Sequence, residues 1–142
     1  MKKPSAPLIA TVSVCLLLLA TLGCGGSNRQ LQSITANGQG MTQIQFTATG
    51  MFSASPMTVT PLPVAWFVVG QAPPPTPYTL SSQPFVTECE SAVVVIAIAP
   101  ANPKAASSGT IPDQVYQDLV VAHTATSEGG FVASSPQNIA CP

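Results

Sequence analysis

Polar and apolar residues alternate one by one along QIQFTATG, residues 43–50. Ile44, Phe46 and Ala48 fall on one side, and Gln45, Thr47 and Thr49 on the other. A period of two predicts a half-buried antiparallel strand. Ahead of it, LQSITA (31–36) predicts a first strand. NGQG (37–40) predicts the turn between them, because glycine takes positive φ without steric cost. Downstream, PVAWFVVG (63–70) is apolar on both sides: Val64, Trp66 and Val68 on one, Ala65, Phe67 and Val69 on the other. It predicts a central strand with Pro61 and Pro63 kept to its entrance, where no ladder bond is lost. Trp66 is expected in the core.

SAVVVIAIAP (91–100) is the most continuous β-branched run, the pattern of a strand buried on both faces. YTLSS (78–82) and QPFVTECE (83–90) predict short edge strands, the second with Glu88 and Glu90 in water and Cys89 turned inward. VYQDLVVAHTATS (115–127) predicts another strand. GGFVASSPQNIACP (129–142) predicts a broken last strand that ends at Cys141. Between these runs, QAPPPTP (71–77) predicts a stiff loop close to polyproline II, and ANPKAASSGTIPD (101–113) a long surface loop. No long segment carries a period of 3.6, so no helix is expected. About seven short antiparallel strands separated by turn residues predict an all-β protein, an immunoglobulin-like β-sandwich.

The first 23 residues follow a different pattern. Lys2 and Lys3 precede an uncharged run of 15 residues, Leu8 to Leu22. That run is short of the roughly 20 apolar residues of a spanning helix. A basic start, a short apolar run and a small residue at its end match a secretory signal peptide, expected over residues 1–23. The Gly23–Cys24 junction resembles the lipobox of bacterial lipoproteins, although Thr21 stands where that motif usually has leucine. The resemblance implies cleavage before Cys24 and lipid on its sulfur. Two or more acyl chains hold a protein stably on a membrane where one does not. Gly25 follows the cysteine, and the expected destination is the cell envelope, with the outer membrane or cell surface ahead of the inner membrane. Residues 24–30 then serve as attachment point and flexible tether, and residues 31–142 as one domain.

Charge narrows the functional classes. After Gly23 the chain has two basic residues, Arg29 and Lys104, against five acidic ones, a net charge of −3. No basic stripe exists to hold nucleic acid. With Cys15 in the signal segment and Cys24 assigned to lipid, Cys89 and Cys141 remain. In an exported protein such a pair is expected to close as a disulfide. The alternative, a metal site or reactive thiol, lacks Cys-x-x-Cys spacing, and His123 is the only histidine.

The residues LQSITA, TQIQFTATGMFS and VAWFVV together resemble the opening of bacterial immunoglobulin-like domains of the Big-2 type. The matching positions are Leu31, Ser33 and Ile34; then Gln45, Phe46, Ala48, Thr49 and Gly50; then Trp66. VVAHTAT (120–126) looks like the penultimate strand of that fold. The second half departs from the family: FVVG, a proline loop and a cysteine pair follow Trp66. The resemblance implies a spacer or binding module of a surface protein.

Candidate chemistry is sparse. His123 shares the expected strand face with Leu119 and Val121 and has no partner base or nucleophile. Glu88 and Glu90 stand on one strand face, as solvated charge does. Asp113 and Asp118 lack the calcium-loop pattern. No phosphate loop, nucleophile elbow or zinc-protease motif occurs. No catalytic residue, metal site or cofactor is expected. The contact surface is expected at Pro73, Pro74, Pro75 and Tyr78, with a surface protein or glycan as partner. The leading expectation is a lipid-anchored envelope module with a structural or adhesive role. The alternative is a secreted or periplasmic binding protein for a small apolar or carbohydrate ligand, with its site among the loops near Tyr78.

Overall fold

The computed structural model describes residues 28–70, 78–88 and 92–139. The protein is an all-β sandwich built from antiparallel sheets, with one short helical segment. The first sheet contains β1 (Leu31–Gln39), β2 (Gln43–Phe52), β3 (Thr58–Val59) and β6 (Phe85–Glu88). β2 lies in the middle, with β1 along one edge and β3 and β6 sharing the other. The second sheet contains β4 (Ala65–Val68), β7 (Val93–Pro100), β9 (Ser127–Glu128), β10 (Phe131–Ala133) and β11 (Gln137–Ile139), with β7 in the middle. Two-residue strands β5 (Tyr78–Thr79) and β8 (Ser108–Gly109) pair separately.

The alternation of β2 is as the sequence predicts. Ile44, Phe46, Ala48 and Phe52 are buried and face the second sheet, while Gln43, Gln45 and Met51 face water. β1 runs further than LQSITA: Asn37, Gly38 and Gln39 still pair with Thr47, Phe46 and Gln45. The turn therefore falls at residues 40–42, and Gly40 carries its positive φ of 137°. Within the strand, position 38 takes glycine because Ile139 and the Phe46 ring fill the space a side chain would need.

β7 is buried on both faces, with Val95 to Ile98 no more than 1% exposed. Val95, Ala97 and Ala99 point between the sheets. Ile96 and Ile98 point the other way, into a cluster with Val115, Leu119 and Val120. Those last three lie on a helical segment, α1 (Asp113–Tyr116), which continues as a π-helical turn over Gln117–Val121. The strand expected at 115–127 is thus a helix for its first seven residues. Its signal was the 115, 119 and 120 spacing, one helical face, after Pro112 and Asp113 at the helix start. A two-residue period does not put Leu119 and Val120 on one side. The resemblance of 120–126 to a penultimate strand fails for the same reason. His123, exposed and at φ 54°, follows the helix end instead of sharing a strand face.

The helix also corrects the reading of β4. That strand pairs with β7 along one edge, and its other edge carries only the Val64–Ser81 bridge among the described residues. It is apolar on both faces because each face is covered. Trp66 faces the first sheet, stacked on Phe85 and tilted against Phe46, while Ala65 and Phe67 face the helix layer.

The last strand is broken as expected. Ala133 pairs with Ile98 and Gln137 with Val95, so three residues stand opposite two and form a bulge. Pro136, with no N–H to donate, sits in that bulge.

Candidate functional site

The chain enters the sandwich at one end, and that end carries the candidate site. Asn28 to Leu31 are tied down there. Ser53 donates its N–H to the Gln30 carbonyl at 2.9 Å, and the Gln30 N–H donates to Ser53 Oγ at 2.9 Å. The Leu31 N–H donates to the Ala101 carbonyl at 2.8 Å. Arg29 and Gln30, assigned by composition to the tether, therefore belong to the folded unit.

Arg29 closes over the end of β2. Its guanidinium carbon lies 3.7 Å from the Phe52 ring centroid. Its Nε donates to the Ala54 carbonyl at 3.3 Å and its Nη2 to the Pro56 carbonyl at 2.6 Å. All three partners are neutral, so the positive charge is held in place without being cancelled by them. Beneath Arg29 lies an open groove of about 200 Å³. Phe52, Leu62, Leu80 and Ala99 are among its apolar lining, together with Pro103. Lys104, exposed, stands beside Pro103 in a turn where the Lys104 N–H donates to Asn102 Oδ1 at 2.9 Å. Of the two basic residues that follow Gly23, Arg29 lines the groove, and Lys104 falls between two residues that line it, Pro103 and Ala105. Met57, 57% exposed, adds an apolar side chain to the same end, with its carbonyl accepting from the Phe52 N–H at 2.7 Å.

The other sites expected from sequence distribute as follows. Cys24, Cys89, Cys141, Glu90 and Pro73, Pro74 and Pro75 lie outside the described residues. Tyr78 is half-buried, edge-on to Phe131 at 5.7 Å, and packs with the helix layer. Leu80, two residues on, reaches the groove. Glu88 is exposed at the opposite end of the first sheet, paired in register with Gln43. Asp113 sits in the first helical turn, and Asp118 accepts from Gln114 Nε2 at 2.8 Å. Among the described residues no group of three or more His, Cys, Asp or Glu stands together.

One carboxyl is perturbed. The Glu128 carboxyl, on β9, is raised above its ordinary value by desolvation, then by the Asp118 charge and a hydrogen bond to Asp118. Burial also raises the Tyr116 hydroxyl.

Sequence reasoning missed the groove and the role of Arg29. The one available signal was the scarcity of cations: two after Gly23, one inside the expected tether and one inside an expected loop. Among the described residues, no helix is long and apolar enough to cross a membrane. Comparison with protein-family models, with curated proteins and with solved structures finds no match to this chain.

Proposed function

We propose that this chain is a lipid-anchored module of the bacterial cell envelope, of immunoglobulin-like type, with a structural or adhesive rather than a catalytic role. The observation that carries the reading is the N-terminal junction taken with the pinned entry. A basic, apolar, then Gly–Cys segment ends at Cys24, and the fold is already hydrogen-bonded by Gln30. The four residue-to-residue steps from Cys24 to Asn28 reach at most about 14 Å. An anchor on Cys24 would hold the groove end within that distance of the membrane.

The cysteine pair fits the same picture. β6 ends at Glu88 and β11 at Ile139, one residue before Cys89 and two before Cys141. Phe85 of β6 and Ile139 both pack on the cluster of Ile44, Phe46 and Val95, at the end away from the tether. This proximity supports a Cys89–Cys141 bridge that closes the far end of the sandwich.

The apolar groove favours a second reading, binding of a small apolar ligand. Its volume of about 200 Å³ falls below the roughly 300–1,000 Å³ of dedicated ligand pockets, which weighs for the first reading. Intact-mass spectrometry of the protein from an expressing bacterium, with and without reduction, tests the proposal. The expected result is a chain that begins at Cys24 with diacylglyceryl and acyl mass added. An unlipidated chain whose envelope fractionation is unaltered by Cys24→Ala would overturn the anchor.

A further inference from the structure

We propose that the groove takes the end of one acyl chain of the Cys24 lipid whenever that lipid is out of the bilayer. The proposal rests on the lipid-anchored reading, which supplies the chain, while the groove supplies the site.

Three observations converge on it. The first is the lining. Apart from Arg29 and Asn102 it is apolar throughout, and Leu31, Phe52, Leu62 and Ala99 belong at once to the groove and to the core cluster between the sheets. The two polar residues bond within the fold. Arg29 lies on the Phe52 ring and donates to the Ala54 and Pro56 carbonyls, and Asn102 Oδ1 accepts the Lys104 N–H. Among the described residues, no hydroxyl or carboxylate side chain lines it. Such a surface suits hydrocarbon, because a polar ligand needs a few polar groups that converge on it. The second is size. A volume of about 200 Å³ is small for a dedicated ligand pocket. A dry cavity of about 150 Å³ holds one benzene, so on that scale the groove takes roughly eight carbons of a chain. It covers the end of one chain, not a whole lipid. The third is place. Arg29 and Leu31, where the chain enters the fold, themselves line the groove. Cys24 stands four steps ahead of Asn28, within about 14 Å of it. A ligand on so short a flexible tether meets its site at a millimolar effective concentration. A groove too small to hold a free ligand tightly is then filled from its own chain. In a bilayer the balance reverses, because two or more chains partition together and the groove covers part of one.

The test uses the chain from Cys24 onward, which includes every described residue, with an octyl group joined to the Cys24 sulfur as a thioether. Peptide masses confirm that Cys24 alone is modified. In water, NMR cross-relaxation is read between the octyl protons and the methyl groups of Leu62 and Leu80. Contacts to both leucines are expected. Ala105 lines the groove and is exposed, so Ala105→Trp fills the groove without disturbing the core and is expected to abolish the contacts. Lys104→Trp puts the same bulk on an exposed neighbour outside the lining and is expected to keep them. Free S-octylcysteine at the protein's own concentration is expected to give none. An octyl protein without contacts, contacts only to the exposed Met41, Met51 or Met57, or contacts that survive Ala105→Trp would each overturn the proposal while the anchor stands. Equal contacts from free S-octylcysteine would make the groove a site for a soluble ligand and would overturn it too. The mass of the protein from the cell decides the anchor separately. If Cys24 carries no lipid, the anchored reading fails, and the groove loses this occupant even where the octyl contacts are seen.

Discussion

The guanidinium of Arg29 lies over the Phe52 ring with its central carbon 3.7 Å from the ring centroid, while two backbone carbonyls hold its N–H groups. One side chain thereby joins the entering chain to the loop after β2. Arg29→Gln removes the cation–π contact and the charge-assisted hydrogen bonds, and is expected to cost about 1–2 kcal/mol of stability. Arg29→Lys keeps the charge but not the planar fork, and should recover only part of that. Urea unfolding midpoints of the three proteins measure it. Equal midpoints would show the contact to be energetically idle.

Ser134 occupies the bulge between β10 and β11, 3% exposed. Its Oγ accepts the Ala97 N–H at 3.0 Å, and its own N–H donates to the Ala97 carbonyl at 2.8 Å. The hydroxyl thus satisfies a backbone donor on the most buried strand. Ser134→Ala leaves that donor without its partner in a dry layer and is expected to cost about 1–3 kcal/mol. Ser134→Thr retains the oxygen. Thermal unfolding should place the alanine variant below the threonine variant, and the reverse order would show that packing, not the hydrogen bond, decides the site.

The Glu128 carboxyl is raised above its ordinary value in the folded protein, through desolvation and then the nearby Asp118. A carboxyl raised on folding favours the protonated fold. Its contribution is fully present below the unfolded pKa and is lost as pH rises through the folded one. The protein is therefore expected to lose some stability as pH rises from the ordinary carboxylate value through the raised one. Glu128→Gln should flatten that slope and raise stability at neutral pH. Unfolding midpoints measured across the interval decide it, and an unchanged slope in the variant would remove Glu128 as the cause.

The proposed bridge between Cys89 and Cys141 would close a loop of just over fifty residues. The chain-entropy model assigns about 4 kcal/mol to that length, a large share of a small domain's stability. Cys89→Ser, Cys141→Ser and the double variant are expected to lose similar amounts, because either single change breaks the bond. Clearly additive losses would mean that each cysteine acts alone.

Much of the fold was legible where one residue type served one role. In β2 the alternation of Ile44, Phe46 and Ala48 with threonine and glutamine gave both strand and facing. Val95 to Ile98 announced a strand covered on both sides. The reading failed at residues 115–121, where Val115, Leu119 and Val120 form a helical stripe too short for a window of strand signals to yield to it. It failed again at β4, where two apolar faces suggested a central strand. An edge strand under a helix layer has the same pattern, because burial of a face does not record what covers it. The turn at 37–40 was displaced because Asn37 and Gly38 are turn residues by type, yet β2 pairs with them.

Local period and residue type determined by themselves the all-β class, the facing of β2, the burial of β7, the broken last strand and the unusual N-terminal junction at Cys24. These depend on neighbours two to four positions away, which a sequence displays directly. The tertiary structure alone decided that a helix forms a third layer over Ile96 and Ile98, and that Arg29 folds back on Phe52. It alone brought Pro103 and Ala105 to the groove that Arg29 lines. Each of these joins segments far apart in the chain, and their meeting is set by sheet register and by the direction in which each strand leaves its turn.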